Sequence, residues 1–129
     1  MIGSNAYNYI NVLNKAADAS WMRNEVITNN IANNDTPDFK RQDVVFESYL
    51  QKALSGSGSM DRKVADLNLG KINSTVYTDL KDLSYRYDGN NVDIATETAN
   101  LAENQIRYYS LLDSMSQEFS RIKTALSVR

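Results

Sequence analysis

The residues Ile94, Thr98, Leu101, Gln105, Tyr108, Leu112, Met115, Phe119, Ile122 and Leu126 follow one another at alternating spacings of four and three. A repeat of that kind keeps one stripe of a helix turned toward one partner, and here it holds over more than four heptads. Asp93 offers an N-cap oxygen and Glu97 puts a negative charge in the first turn, while Arg121, Lys123 and Arg129 put positive charge near the other end. All of these agree with the helix dipole. Glu103 and Arg107 add a favourable i,i+4 pair. Such a helix is roughly 50 Å long at 1.5 Å per residue, which is long for a chain of 129 residues.

A second, weaker seam runs through Ala6, Ile10, Leu13, Ala17, Ser20, Asn24, Ile27 and Ile31. Ser20 and Asn24 interrupt it; polar residues at such positions cost stability and can fix register. The chain therefore reads as mainly α, with two long terminal helices packed as a coiled-coil-like pair. Each helix also carries a second apolar stripe: Val12, Ala19, Met22 and Val26 on the first, and Ala95, Ala99, Ala102, Ile106 and Tyr109 on the last. A helix apolar on two sides must be covered on two sides. Either the middle of the chain folds back over these stripes or neighbouring subunits cover them. The middle is short and polar, which favours neighbours.

Between the helices lies a less regular segment. The first helix ends in Asn29-Asn30-Ile31-Ala32-Asn33-Asn34-Asp35-Thr36-Pro37-Asp38-Phe39-Lys40, with four asparagines in six positions and the only proline. Asn and Asp tolerate left-handed backbone and bond their own main chain, and proline biases Thr36 away from helix, so a fixed polar corner is expected. An ordinary helix C-cap is the plainer reading of the same residues. Val44, Val45, Phe46, Tyr49, Leu50, Ala53 and Leu54 predict a short amphipathic helix, and Ser55-Gly56-Ser57-Gly58-Ser59 a flexible linker. Thr75-Val76-Tyr77 and Tyr85-Arg86-Tyr87 are strand candidates, and Asp88-Gly89-Asn90-Asn91 is a turn. The organisation is thus 1–34 as the seam helix, 35–90 as corner, short helix, linker and small β segment, and 91–129 as the heptad helix, with the first and last forming one unit.

The chain has no cysteine and no histidine, which removes thiol nucleophiles, Cys or His metal sites and the usual general base. Asp35 with Asp38 and Asp88 with Asp93 read better as turn and cap residues than as catalytic pairs. The stretch Asp88–Asp93 lacks the ligand register of a calcium loop, and no phosphate-binding glycine loop or nucleophile elbow is present. Asn73-Ser74-Thr75 fits a glycosylation sequon, a pattern frequent by chance. Enzymatic activity, a metal and a cofactor are therefore not expected. A net charge of −2 offers no basic field for nucleic acid, no stretch is apolar enough to span a bilayer, and Met1 to Tyr9 lack the basic start of a secretory signal. Eight tyrosines and Trp21 suit interfaces; for Tyr108 core packing is favoured, and Trp21 fits an interface anchor or a half-buried core position equally.

The corner from Asn29 through Asp43, following a seam helix, resembles the N-terminal box of the bacterial flagellar axial protein family, an A-N-x-x-T-P-G-Y-like sequence. Asp38 and Phe39 stand where that family usually has Gly and Tyr; Phe keeps the ring, whereas Asp replaces the residue best suited to a positive φ. Gly89-Asn90-Asn91-Val92-Asp93-Ile94 with Leu101-Ala102-Glu103-Asn104-Gln105-Ile106-Arg107-Tyr108 resembles the C-terminal helix of the proximal rod proteins rather than that of their relative FlgC. The resemblance covers both ends, roughly two thirds of the chain.

That resemblance implies a structural subunit of the proximal rod, polymerising through its terminal helices into part of a hollow drive shaft and export conduit for motility. It implies export by the flagellar type III apparatus without a cleaved signal and a place in the basal-body rod crossing the periplasm. Implied partners are further copies, the rod proteins FlgC, FlgF and FlgG, the rod–ring adaptor FliE and the export-gate proteins FliP and FliR. The expected assembly surface comprises Ile10, Leu13, Ala17, Met22, Val26, Ile27, Ile31, Leu101, Ala102, Ile106, Tyr108, Tyr109, Leu112, Met115, Phe119, Ile122 and Leu126. The corner is carried by Asn30, Asn33, Asn34, Asp35, Thr36, Pro37 and Phe39. Terminal helices lacking partners would be poorly ordered in the free chain, and burial on polymerisation would order them. A coiled-coil adaptor or chaperone binding one partner helix is the competing class.

Overall fold

The computed structural model describes residues 4–79, 84 and 86–127. The side chain of Ala6, and the expectations placed on Tyr85 and Arg129, lie outside that description. The elements in order are α1 (Ser4–Ala32), β1 (Gln42–Val45), α2 (Glu47–Leu54), α3 (Met60–Ala65), a 3-10 turn (Leu69–Lys71), β2 (Thr75–Thr78) and α4 (Ile94–Ser127). The fold is mainly α, as the two periodic ends predict. Among the described residues no helix is long and apolar enough to cross a membrane.

α1 and α4 pack antiparallel. Asn104 Nδ2 donates to the Ser20 carbonyl at 2.8 Å and Asn30 Nδ2 to Glu97 Oε2 at 3.1 Å, so residue numbers rise along one helix as they fall along the other. The α1 seam is used as read: Ile10, Ala17, Ser20 and Ile27 are buried and Leu13, Asn24 and Ile31 half-buried. The α4 seam is not. Its Leu101, Tyr108, Met115 and Ile122 face α1, but the alternate positions Thr98, Gln105, Leu112, Phe119 and Leu126 are exposed, as is Ile94 at the start of the helix. The helix is rotated toward Glu97, Asn104, Leu111 and Glu118, which complete an equally regular four–three repeat with the shared positions. Polar groups there find partners on α1 and at Arg41, just before β1, so apolarity alone misjudges the rotation.

The middle segment lies on one side of this pair. Phe46 and Ile72 are buried against Ala19, with Ala16, Leu50 and Leu67 packed around them. The second stripe of α1 is therefore covered from within, through Ala19 and Val26, contrary to the expectation of neighbours. Burying Phe46 alone contributes on the order of 2 kcal/mol. The second stripe of α4 receives no such cover: Ala95, Ala99 and Ala102 are exposed, and Ile106 and Tyr109 are 69% and 68% exposed.

Three local expectations change. Val44 and Val45 belong to β1, not to the short helix, which begins after Phe46. Arg86 and Tyr87 form part of a turn rather than a strand. Ser55–Ser59 links α2 to α3, whose N-terminus the Ser59 hydroxyl caps, a helix that three charged residues in six conceal from a hydrophobicity reading. β1 and β2 pair antiparallel, with Val44 opposite Val76. The outer edge of β1 is closed by α1: Asn30 exchanges both amide bonds with Gln42, at 2.7 and 2.9 Å, as a neighbouring strand would.

Candidate assembly interface

α1 runs out at Ala32, and the chain must turn from the helix pair into the middle segment. The corner does this with side-chain amides in place of a glycine cap. Asn33 and Asn34 continue with N–H bonds back to Asn29, Asn30 and Ile31. Asn33 Nδ2 donates to the Asn29 carbonyl at 2.8 Å, and the Thr36 hydroxyl donates to Asn33 Oδ1 at 3.1 Å. The Asn33 and Thr36 carbonyls accept the Thr36 and Phe39 N–H groups, that of Asn34 has no backbone donor among the described residues, and all three have room for further donors. Asn90 supplies them from across the molecule, its Nδ2 lying 2.8, 2.9 and 2.8 Å away. Its Oδ1 accepts the Val92 N–H at 2.7 Å, and the side chain is fully buried. One amide therefore latches the end of α1 to the start of α4.

Asp38 adopts a positive φ of 59°, unique among the described non-glycine residues. The corner holds this conformation without a glycine because aspartate is among the residues least penalised in the left-handed region. Asp38 N–H donates to the Asp88 carbonyl at 2.7 Å, and Gly89 packs so close that a Cβ there would lie 2.3 Å from Asp38 Oδ1. Arg86 bridges Asn34 Oδ1 and Asp88 Oδ2, each at 3.0 Å, and the Lys40 ammonium donates to the Gly89 carbonyl. Asp93 caps α4 by accepting the Ala95 and Thr96 N–H groups, which holds its carboxyl below the usual aspartate range. Asp88 and Asp93 thus serve turn and cap, as read.

Behind the corner lies a charged cluster. Glu97 is 1% exposed and receives Arg41 Nε at 2.6 Å in addition to the Asn30 amide. Arg41 reaches Asp79 at 3.1 Å and Asp43 at 3.4 Å. Burial works against the Arg41 charge, but Glu97 and Asp79 outweigh it and raise its pKa above the ordinary arginine value. A second cluster ties α2 to both long helices: Arg23 grips Glu47 at 2.5 and 2.6 Å, and Arg107 joins it at 2.6 Å. The bond from Arg23 is the main reason the Glu47 carboxyl is lowered to about 2.

The expected assembly residues divide in two. Ile10, Ala17, Val26, Ile27 and Ile122 are buried within the chain, and Leu13, Met22, Ile31, Leu101, Tyr108 and Met115 are half-buried. Ala102, Ile106, Tyr109, Leu112, Phe119 and Leu126 are open. In the corner Asn30 is fully buried, Asn33, Asn34 and Phe39 are half-buried, and Asp35, Thr36 and Pro37 are exposed. A sequence reading misses Asn90, Arg41 and Glu97 as the organising residues. Only the four–three phase of Glu97 with Leu101 and Tyr108 could have signalled the last.

The corner motif at one end and the Asn90–Tyr108 segment at the other, latched together, invite comparison with known chains. The flagellar basal body rod protein FlgB of Bacillus subtilis is 36% identical over 117 residues, covering 89% of this chain and 90% of that one. The chain belongs to the FlgB family. FlgB of Borreliella burgdorferi is 34% identical over 84% of this chain and 88% of its own. FlgB of Yersinia enterocolitica is 34% identical over 88% of each. No protein-family model matches the chain. The FlgB relatives thus align across the middle segment as well as both ends.

Proposed function

We propose that this chain is a structural subunit of the proximal flagellar rod, polymerising with copies of itself through its terminal helices and lining part of the export conduit. The observation that carries the reading is the open side of α4. Ile106, Tyr109, Leu112, Phe119 and Leu126 are 40% to 69% exposed on a helix whose other side already has a partner. An apolar wedge of this size on a small chain marks an interaction surface. The corner latch and middle segment hold their fold in the free chain. The distal parts of α1 and α4, joined through a seam containing Ser20, Asn24 and Asn104, are completed by neighbours. Export proceeds unfolded and without cleavage, and FlgC, FlgF, FlgG, FliE, FliP and FliR are the flanking partners.

Two experiments test this. Circular dichroism of the dilute chain should give less helix than α1 and α4 together contain, rising on assembly; full helicity without assembly contradicts it. Replacing Pro37 with Ala and Asn33 with Leu together should impair incorporation into rods, read as motility, more than it lowers the solubility of the free chain. Wild-type motility in that double variant contradicts the role of the corner.

A further inference from the structure

On the side of the helix pair away from the middle segment, a cleft of about 100 Å³ lies between α1 and α4, roofed by Trp21, Tyr108 and Tyr109. Trp21 and Tyr108 lie 6.0 Å apart and Tyr108 and Tyr109 5.9 Å apart. At its base are two buried carbonyl oxygens, Asn24 Oδ1 and Asn104 Oδ1, with no hydrogen-bond donor among the described residues. Asn104 is only 3% exposed, so its oxygen carries a desolvation cost that a donor would relieve. Asp18 and Glu25 stand one turn before and one turn after Trp21 on the same face of α1. Both are exposed and without an ion pair among the described residues. Orphan acceptors, π faces and two free carboxylates all favour one kind of guest, a cationic side chain.

The same chain carries a matching piece. Near the end of α4, Lys123 is exposed and has no partner among the described residues. It lies one turn from Phe119 and from Leu126, which are 52% and 68% exposed. This is a cation set in an apolar stripe, the complement of carboxylates set around an aromatic cleft. It cannot fill its own cleft. The antiparallel packing puts Lys123 beside the start of α1, roughly 30 Å along the helix axis from the position of Glu25.

We infer that Lys123, with Phe119 and Leu126, docks into the Trp21–Tyr108–Tyr109 cleft of a second copy of this chain. The inference rests on the self-assembly proposed above and names its contact. The two patches differ and one copy carries both, so in a helical array the contact runs head-to-tail from subunit to subunit.

Because the chain has no cysteine, single-cysteine variants report the contact directly. Glu25→Cys and Lys123→Cys chains, one bearing a tag, are co-expressed in cells lacking the native copy, and isolated basal bodies are oxidised. The expected product is the mixed disulfide, at least tenfold over either homodimer. Homodimers predominating, or no link in basal bodies that contain both chains, overturns the pairing and leaves the rod reading standing. Absence of the unmodified chain from basal bodies overturns the rod reading itself. As a second measure, Lys123→Glu and Glu25→Lys should each lower motility and the combined charge swap should restore it. Full motility of both single variants, or no recovery in the swap, overturns the pairing.

Discussion

Asn90 is where the corner is most open to attack. Its Nδ2 has two hydrogens for three carbonyls, so the contacts to Asn33, Asn34 and Thr36 amount to two full bonds with one shared. Its Oδ1 accepts a further bond from Val92. Asn90→Ala removes about three bonds at roughly 1 kcal/mol net each, and the Asn34 carbonyl, left with no other donor among the described residues, adds a further fraction of its desolvation cost. Water entering the space returns part of it. The expected loss is about 3–4 kcal/mol, a large share of a small domain's stability. Urea unfolding followed by circular dichroism reads this as a midpoint lowered by about 1.5–2 M for a slope near 2 kcal/mol/M. Asn73→Ala, at an exposed position, serves as the control and should stay within about 0.5 kcal/mol. A loss below about 1 kcal/mol in Asn90→Ala at unchanged slope would refute the latch.

Three further outcomes follow from the same geometry. Gly89→Ala meets both a φ of +77° and the Asp38 carboxylate, so it should cost about 2 kcal/mol or more; Asp38→Gly, itself neutral or slightly stabilising, should recover part of that, leaving mainly the left-handed penalty. Additive effects in that double-mutant cycle would show that the two residues do not press on each other. Arg41→Met leaves the Glu97 carboxylate buried without its counter-ion and should destabilise by about 3–5 kcal/mol, more than Glu97→Gln, and equal losses would contradict the Arg41–Glu97 ion pair. Glu47, lowered from 4.5 to about 2, gives a stabilisation that is present above its unfolded value and lost as pH falls from there through about 2. An NMR titration should place its midpoint near 2 and return it toward 4.5 in Arg23→Ala, whereas a midpoint above 4 in the parent chain would contradict the ion pair.

Local rules carry the reading of the ends. The Asp93 cap, the four–three repeat of α1 and the stop at Asn33–Pro37 each depend on neighbours within a few residues, so they are legible in sequence. The residues that organise the molecule act across 52 to 67 positions, as in Arg86 to Asn34, Asn90 to Asn33 and Asn30 to Glu97. Nothing local distinguishes Asn90 from any turn asparagine, or Arg41 from a solvated arginine. The rotation of α4 shows the other limit. Ile94, Leu112, Phe119 and Leu126 look like core by composition, yet Glu97 and Asn104 take the inner positions because Arg41, Asn30 and the Ser20 carbonyl wait for them. Apolar residues passed over in this way are what an assembling chain would keep for its neighbours.

The central claim, that these terminal helices build the wall of a tube, is tested most directly by an electron-microscopy map of the isolated basal body in which the chain is traced. The account predicts α1 and α4 paired antiparallel on the lumen side, the Asn33–Phe39 corner where the chain leaves the wall, and the Trp21 cleft against the α4 end of the adjoining copy. A map in which the helix pair lies outside the wall, or in which Ile106, Tyr109, Leu112 and Phe119 face solvent in the assembled rod, would contradict it.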